Sequence, residues 1–245
     1  MPDWLTARPV AHRGLHDAAA GIIENTPSAF RAAIAGHYAI ECDLQISADG
    51  EAMVYHDDEL GRLTEGTAKL RVTSAAELKR VRFKATADHM LTLPELCELV
   101  AGRSTLVIEL KSRFDDDLRL ATRAAKVLAE YKGAAAIMSF DPRPIIIAKA
   151  LSPALTRGLV AQRRNRASHT GHDATRVDAA SCARQALAAG AQFLAYRVDD
   201  LPSAVPLFAR YVLRLPLLTW TVRSRVDLAR AARWADQIIF EGFRP

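Results

Sequence analysis

His12-Arg13-Gly14, Glu41-x-Asp43 and His56-Asp57 each close a short apolar run within the first 57 residues. Packing alone gives no reason for this set of side chains. An imidazole titrates near neutrality, with an unperturbed pKa of about 6.5, so His12 and His56 could give or take a proton at working pH. Glu41 and Asp43 are two apart, so on a strand they share one face while Cys42 points to the other, against outer helices. Two carboxylates on an inner face repel one another and are costly to desolvate. A divalent cation removes that penalty; pairing with Arg or Lys is the alternative.

A third acid stands in a matching position, Glu109 in Leu106-Val107-Ile108-Glu109-Leu110-Lys111, with Lys111 on the same face. Three carboxylates without a His or Cys ligand set suit a hard, oxygen-preferring ion, Mg²⁺ or Ca²⁺, better than Zn²⁺. Lys111 and the planar fork of Arg13 could hold phosphate oxygens, and Gly14 lets the backbone turn sharply over the site. Trp220, near the end of an apolar run, could wall a small substrate. Glu24 stands ready to hold the first loop. A dication between an acid and a base suits cleavage of a phosphate ester. His16, His37, His89, His169 and His172 have no comparable setting and read as surface or loop residues.

The elements that must position these groups are short apolar runs alternating with longer helical patterns. Strands are predicted at Pro9–His12, Ala39–Ile46, Ala52–His56, Thr105–Lys111, Ala135–Phe140, Arg157–Val160, Gln192–Tyr196, Leu217–Val222 and Gln237–Phe240. Several are nearly continuous Val, Ile, Leu and Ala, as in strands buried on both faces. Asn25-Thr26-Pro27 marks a helix start, and Ser74-x-x-Glu77 and Thr92-x-x-Glu95 fit capping boxes. Gly102, Gly133 and Gly190 stand where left-handed caps would end helices. The strand–helix alternation predicts a parallel α/β fold.

Nine strands are one too many for an eight-stranded barrel, and Asp49-Gly50 between two alternating runs explains the surplus as a hairpin. With a two-residue turn, Ala48 would pair with Glu51 and Asp43 would lie opposite His56. Residues 57–104 have helical segments but no buried strand. They are read as a partly helical insertion at the barrel mouth within a single domain of residues 1–245.

The net charge of +5 is compatible with anionic substrates, but the basic residues are dispersed. The densest run, Arg163-Arg164-Asn165-Arg166, reads as a solvated loop, and no nucleic-acid-binding motif accompanies it. Three cysteines with no CxxC spacing predict a reduced compartment without disulfides. No apolar run approaches the roughly 20 residues of a membrane helix, and the N-terminal residues lack a signal-peptide core. The expectation is a cytoplasmic protein without stable membrane insertion, with oligomeric state open.

The motifs together, His12-Arg13-Gly14, Glu24-Asn25-Thr26, Ile40-Glu41-Cys42-Asp43, Asp49-Gly50, His56-Asp57 and Leu60-x-Arg62-x-Thr64-x-Gly66, resemble the glycerophosphodiester phosphodiesterase family. Leu91-Thr92-Leu93, Ile108-Glu109-Leu110-Lys111 and Thr219-Trp220-Thr221-Val222 extend the likeness. The resemblance implies a TIM-type (β/α)8 barrel that hydrolyses glycerophosphodiesters to sn-glycerol 3-phosphate and an alcohol. It implies Mg²⁺ or Ca²⁺ on Glu41, Asp43 and Glu109, with acid–base work at His12 and His56. Such sites lie at the C-terminal face of the barrel. Lysophospholipids or glycerophosphoinositol are alternative substrates, and a metal-dependent lyase or aldolase on the same fold is a more distant one. The chain departs from the family pattern at Arg223, where Asn is frequent, and at Phe240-Glu241-Gly242, where a Thr-Asp-x-Pro-like segment is frequent. These departures bear on the far side of the pocket and on the leaving alcohol.

Overall fold

A computed structural model of the protein describes residues 2–163 and 178–245. The basic run from Arg164 onward, His169 and His172 lie outside the described residues. Nine strands form one sheet: β1 (Val10–Ala11), β2 (Ala39–Ile46), β3 (Ala52–Val54), β4 (Leu106–Leu110), β5 (Ala135–Ser139), β6 (Thr156–Ala161), β7 (Phe193–Arg197), β8 (Leu217–Val222) and β9 (Gln237–Phe240). Eight of them are parallel, and β1 pairs with both β2 and β9, which closes the ring. β3 is antiparallel to β2 and hangs outside the ring as the hairpin arm. The TIM-type barrel is therefore present.

The helices are α1 (Pro27–Ala35), α2 (Ala75–Leu78), α3 (Leu93–Val100), α4 (Arg119–Glu130), α5 (Pro142–Leu151), α6 (Ala179–Ala189), α7 (Ala204–Tyr211) and α8 (Arg225–Trp234). Both expected capping boxes form, Ser74 with Glu77 and Thr92 with Glu95. Gly190 is the left-handed cap of α6, whereas α3 is capped by Ala101 ahead of Gly102. Gly133 has no positive φ, because α4 runs out through Tyr131 in extended conformation.

Alternation along the strands sorts side chains into two cores. Val10, Ala39, Val107, Met138, Phe193 and Ile239 fill the barrel interior. Cys42, Leu44, Ile108, Leu159 and Leu194 pack outward against the helices. Burying these apolar faces at roughly 25 cal/mol per Å² is what holds strand to helix. Cys42 falls in the outer core, so Glu41 and Asp43 take the inner face.

The hairpin register differs by one residue from the expectation. Leu44 pairs with Val54 and Ile46 with Ala52, and Ser47 N donates to Glu51 O (3.0 Å). The turn therefore contains three residues, with Gly50 at φ +83°. A left-handed glycine is compatible with either turn length, so the Asp-Gly pair did not decide between them. Asp43 lies opposite Tyr55 rather than His56, with Tyr55 N donating to Asp43 O (3.1 Å).

Residues 57–104 carry α2 and α3. α3 packs on α1 and β3 in the outer ring. Ahead of it, Leu60, Leu70, Leu78, Phe83 and Met90 form a satellite core with Tyr55 and Ile23. That core holds the segment so that Leu60, Arg62 and Lys69 line a cavity shared with Glu109 and Lys111. Among the described residues no helix is long and apolar enough to cross a membrane.

Candidate active site

The acids come from two adjacent strands. Asp43 on β2 is the register partner of Glu109 on β4, and Glu41 lies two residues below on the same face. One oxygen from each of the three lies within 4.8 Å of the others. Glu41 and Asp43 are buried, each 1% exposed. Burial pushes the Glu41 carboxyl well above its usual range, and repulsion from Asp43 and Glu109 adds to the rise. Burial also opposes ionisation of Asp43, but Lys111 and Arg13 outweigh it and hold this carboxyl far below its usual range. Lys111 Nζ bridges Asp43 Oδ1 (2.8 Å) and Glu109 Oε1 (2.7 Å). Arg13 Nε approaches Asp43 Oδ2 at 3.2 Å.

Asn25, in the Glu24-Asn25-Thr26 motif, clasps Asp43 from the other side. Its Nδ2 donates to Asp43 Oδ2 (2.9 Å) and its Oδ1 accepts from Asp43 N (3.3 Å). Arg13 is itself pinned, with its backbone N–H on Glu41 Oε2 (2.9 Å) and Nη1 on Glu24 Oε1 (2.7 Å). Gly14 follows at φ +80°, where an added Cβ would meet Ala29 Cβ at 2.8 Å. The sharp turn over the site and its seat on α1 both require glycine.

Each imidazole is oriented by a carboxylate at Nδ1. His56 Nδ1 donates to Asp57 Oδ1 (2.7 Å). His12 Nδ1 donates to Glu241 Oε2, and its Nε2 lies 3.9 Å from Glu41 Oε2. A carboxylate can only accept, so the proton sits on Nδ1 and Nε2 is left for the cavity. Burial lowers the His12 pKa, against the upward pull of Glu241. Glu241 is opposed by burial but is held far below its usual range by His12, His16 and Arg223. Asp57, likewise opposed by burial, is lowered to about 2 by His56 and Arg62.

Glu241 is the functional candidate that the sequence expectations missed. It lies 229 residues from its partner. The β1–β9 seam alone brings them together, with His12 N donating to Phe240 O (2.9 Å). The available signal was the departure at Phe240-Glu241-Gly242 on the last strand. The second departure meets it there: Arg223 Nε donates to Glu241 Oε1 (2.6 Å). His16, expected in a surface or loop role, reaches this group too, with Nε2 at 3.5 Å from Glu241 Oε2.

His12, Arg13, Glu41, His56, Glu109 and Lys111 line one cavity of about 220 Å³, with Trp220 in its wall. Asp43 lies beneath it. Trp220 packs edge-on to Phe140 (centroids 5.6 Å) and its buried Nε1 has no hydrogen-bond partner. A second cavity of about 560 Å³ shares His56, Glu109 and Lys111 and extends under Leu60, Arg62 and Phe114. The donor set fits a hard dication. Its three oxygens converge, and the raised Glu41 carboxyl gains most from a further positive charge beside it.

Comparison with known proteins agrees with this geometry. The model of the Glycerophosphoryl diester phosphodiesterase family matches residues 12–243. A glycerophosphodiester phosphodiesterase of Caldanaerobacter subterraneus subsp. tengcongensis is 31% identical over 163 residues, which cover 62% of this chain and 66% of that relative. The matched stretch thus falls just short of two-thirds of that relative's length. Among solved structures, an Oleispira antarctica phosphodiesterase in complex with the product sn-glycerol-3-phosphate superposes with a TM-score of 0.78 at 21% identity, covering 95% of this chain and 91% of that one. The Thermotoga maritima glycerophosphodiester phosphodiesterase gives 0.73 at 22% identity, covering 95% and 94%. These two likenesses show a shared fold. With the family match running through both histidines, the three acids and the last strand, the chain belongs to the glycerophosphoryl diester phosphodiesterase family.

Proposed function

We propose that this protein hydrolyses glycerophosphodiesters to sn-glycerol 3-phosphate and an alcohol, using a divalent cation on Glu41, Asp43 and Glu109 and an acid–base pair of His12 and His56. The observation that carries the reading is the paired arrangement of the imidazoles. Both hold Nδ1 on a carboxylate and both line the cavity that Glu41 and Glu109 also line. Mg²⁺ or Ca²⁺ bound there would supply polarisation of a phosphate oxygen.

The protein's own groups do the remainder. Arg13 and Lys111 stabilise negative charge on the phosphoryl oxygens. One histidine removes a proton from the nucleophile, either water or the substrate's own 2-hydroxyl, as the new P–O bond forms. The other gives a proton to the departing alkoxide as the old P–O bond breaks. Trp220 walls the cavity. Release of sn-glycerol 3-phosphate is supported by the product named for the Oleispira antarctica relative.

The test is glycerol 3-phosphate release from glycerophosphocholine and glycerophosphoethanolamine with Mg²⁺, with Ca²⁺ and with EDTA. Metal-dependent release is expected, and His12→Ala or His56→Ala should each lower kcat by about 10²–10⁴-fold. Near-normal turnover in either variant overturns the two-histidine scheme.

A further inference from the structure

Two charged residues in the motifs, Glu24 and Arg62, have no part in the chemistry above, yet they meet. Arg62 Nη2 donates to Glu24 Oε1 (2.6 Å) and Nη1 to Glu24 Oε2 (3.2 Å). The same guanidinium grips Asp57, with Nε on Oδ2 (2.6 Å) and Nη2 on Oδ1 (3.2 Å). Asp57 in turn holds His56 Nδ1. At the other end, Glu24 Oε1 accepts from Arg13 Nη1, whose guanidinium lies on Asp43. An unbroken line of ion pairs runs from the acid cluster through Arg13, Glu24, Arg62 and Asp57 to His56.

An isolated surface pair of this kind would contribute little, about 0–1 kcal/mol. Three features set Arg62 apart. It is doubly hydrogen-bonded on two sides, a geometry that fixes orientation as well as distance. Its partners come from separate parts of the fold: Glu24 from the loop before α1, Asp57 from the loop after β3. And Asp57 uses Oδ1 for both His56 and Arg62, so a shift of the guanidinium moves the atom that orients the imidazole.

We infer that Arg62 is a positioning residue that acts through Asp57 on His56, with Glu24 anchoring it to the barrel. Without it, Asp57 is free to rotate, and the imidazole loses both its tautomer and its aim. This inference rests on His56 being part of the proposed acid–base pair, and the experiment separates the two.

The experiment is a double-mutant cycle on glycerophosphoethanolamine hydrolysis with Mg²⁺, combining Arg62→Gln with His56→Ala. Arg62→Gln alone should lower kcat by about 10- to 100-fold with KM nearly unchanged, the range for removing an outer partner that orients a functional group. In the His56→Ala background the same change should cost less than about threefold, because the group it acts through is gone. Equal losses in both backgrounds would mean a general structural role and overturn the inference. If His56→Ala alone has no effect, the reading of His56 fails instead.

Arg62→Lys keeps the charge but not the fork, so it should fall between wild type and Arg62→Gln. A second readout needs no turnover. The proton NMR signal of His56 Nδ1–H, assigned by its loss in His56→Ala, should be present in the wild type and exchange-broadened in Arg62→Gln. An unchanged signal counts against the inference.

Discussion

Replacing Glu241 with Gln tests whether His12 is held as the geometry indicates. Glu241 holds His12 Nδ1 on Oε2 and Arg223 Nε on Oε1, with His16 Nε2 at 3.5 Å from Oε2. Glutamine offers one carbonyl oxygen. If that oxygen stays with Arg223, an amide NH2 faces His12 Nδ1. The imidazole proton then moves to Nε2, which reverses the ring's hydrogen bonding toward the cavity. If the oxygen turns to His12, the tautomer survives but the charged acceptor is lost and Arg223 faces a donor.

Either way the loss is one charge-assisted hydrogen bond, about 1.5–3 kcal/mol. Felt in the transition state, where His12 carries or surrenders a proton, that corresponds to about a 10- to 150-fold lower kcat. Steady-state turnover of a glycerophosphodiester should therefore show a fall in kcat with little change in KM. Glu241 groups with His12 and His16 rather than with Glu41, Asp43 and Glu109, so calorimetric Mg²⁺ or Ca²⁺ affinity at the three-carboxylate cluster should stay close to wild type. A folded Glu241→Gln protein with kcat within about threefold of wild type would refute the reasoning.

Burial and its acidic neighbours raise the Glu41 pKa, so binding of a dication should release protons; calorimetry in two buffers of different ionisation enthalpy measures this, and Glu41→Gln should abolish it. Asp57 has a folded pKa of about 2 against an ordinary 3.8, so its stabilisation is complete above 3.8 and lost as pH falls through about 2. Urea midpoints for wild type and Asp57→Asn should therefore converge over that window, from a difference of at most ~2 kcal/mol; a constant difference would contradict the assignment. Trp220→Phe keeps the ring against Phe140 and removes a buried N–H that has no partner. Thermal melting should show no loss of stability while substrate KM rises, and a fall in Tm of about 5 °C or more would count against this.

The barrel was legible because buried parallel strands announce themselves as continuous apolar runs, and every predicted strand has a counterpart. Glu41, Asp43 and Glu109 were legible for a local reason: alternation on β2 and β4 fixes which face each side chain takes. The hairpin register was not, since Gly50 accepts a left-handed conformation in a two- or a three-residue turn. That single residue separates His56 from the position opposite Asp43. Asp57 was visible beside His56, but its counterpart on His12 was not. Glu241 becomes its partner through closure of the ring, a long-range event that no local pattern encodes. His16 escaped for the same reason, because its partner is also Glu241. In sequence Glu24 reads only as holding the first loop and Arg62 only as part of a motif, and their link shows only where the side chains meet.

The two histidines thus depend on the fold to different depths. His56 takes its orienting carboxylate from the next residue along the chain. His12 depends on the seam where β1, only Val10 and Ala11 long, meets β9 through two residue pairs. Opening of that short ladder is the local event that would part Glu241 from His12. In rising denaturant, catalysis should fail while the helices still give a full circular dichroism signal. On that expectation turnover is lost to a small local opening before the barrel unfolds, and coincident loss of turnover and of the circular dichroism signal would refute it.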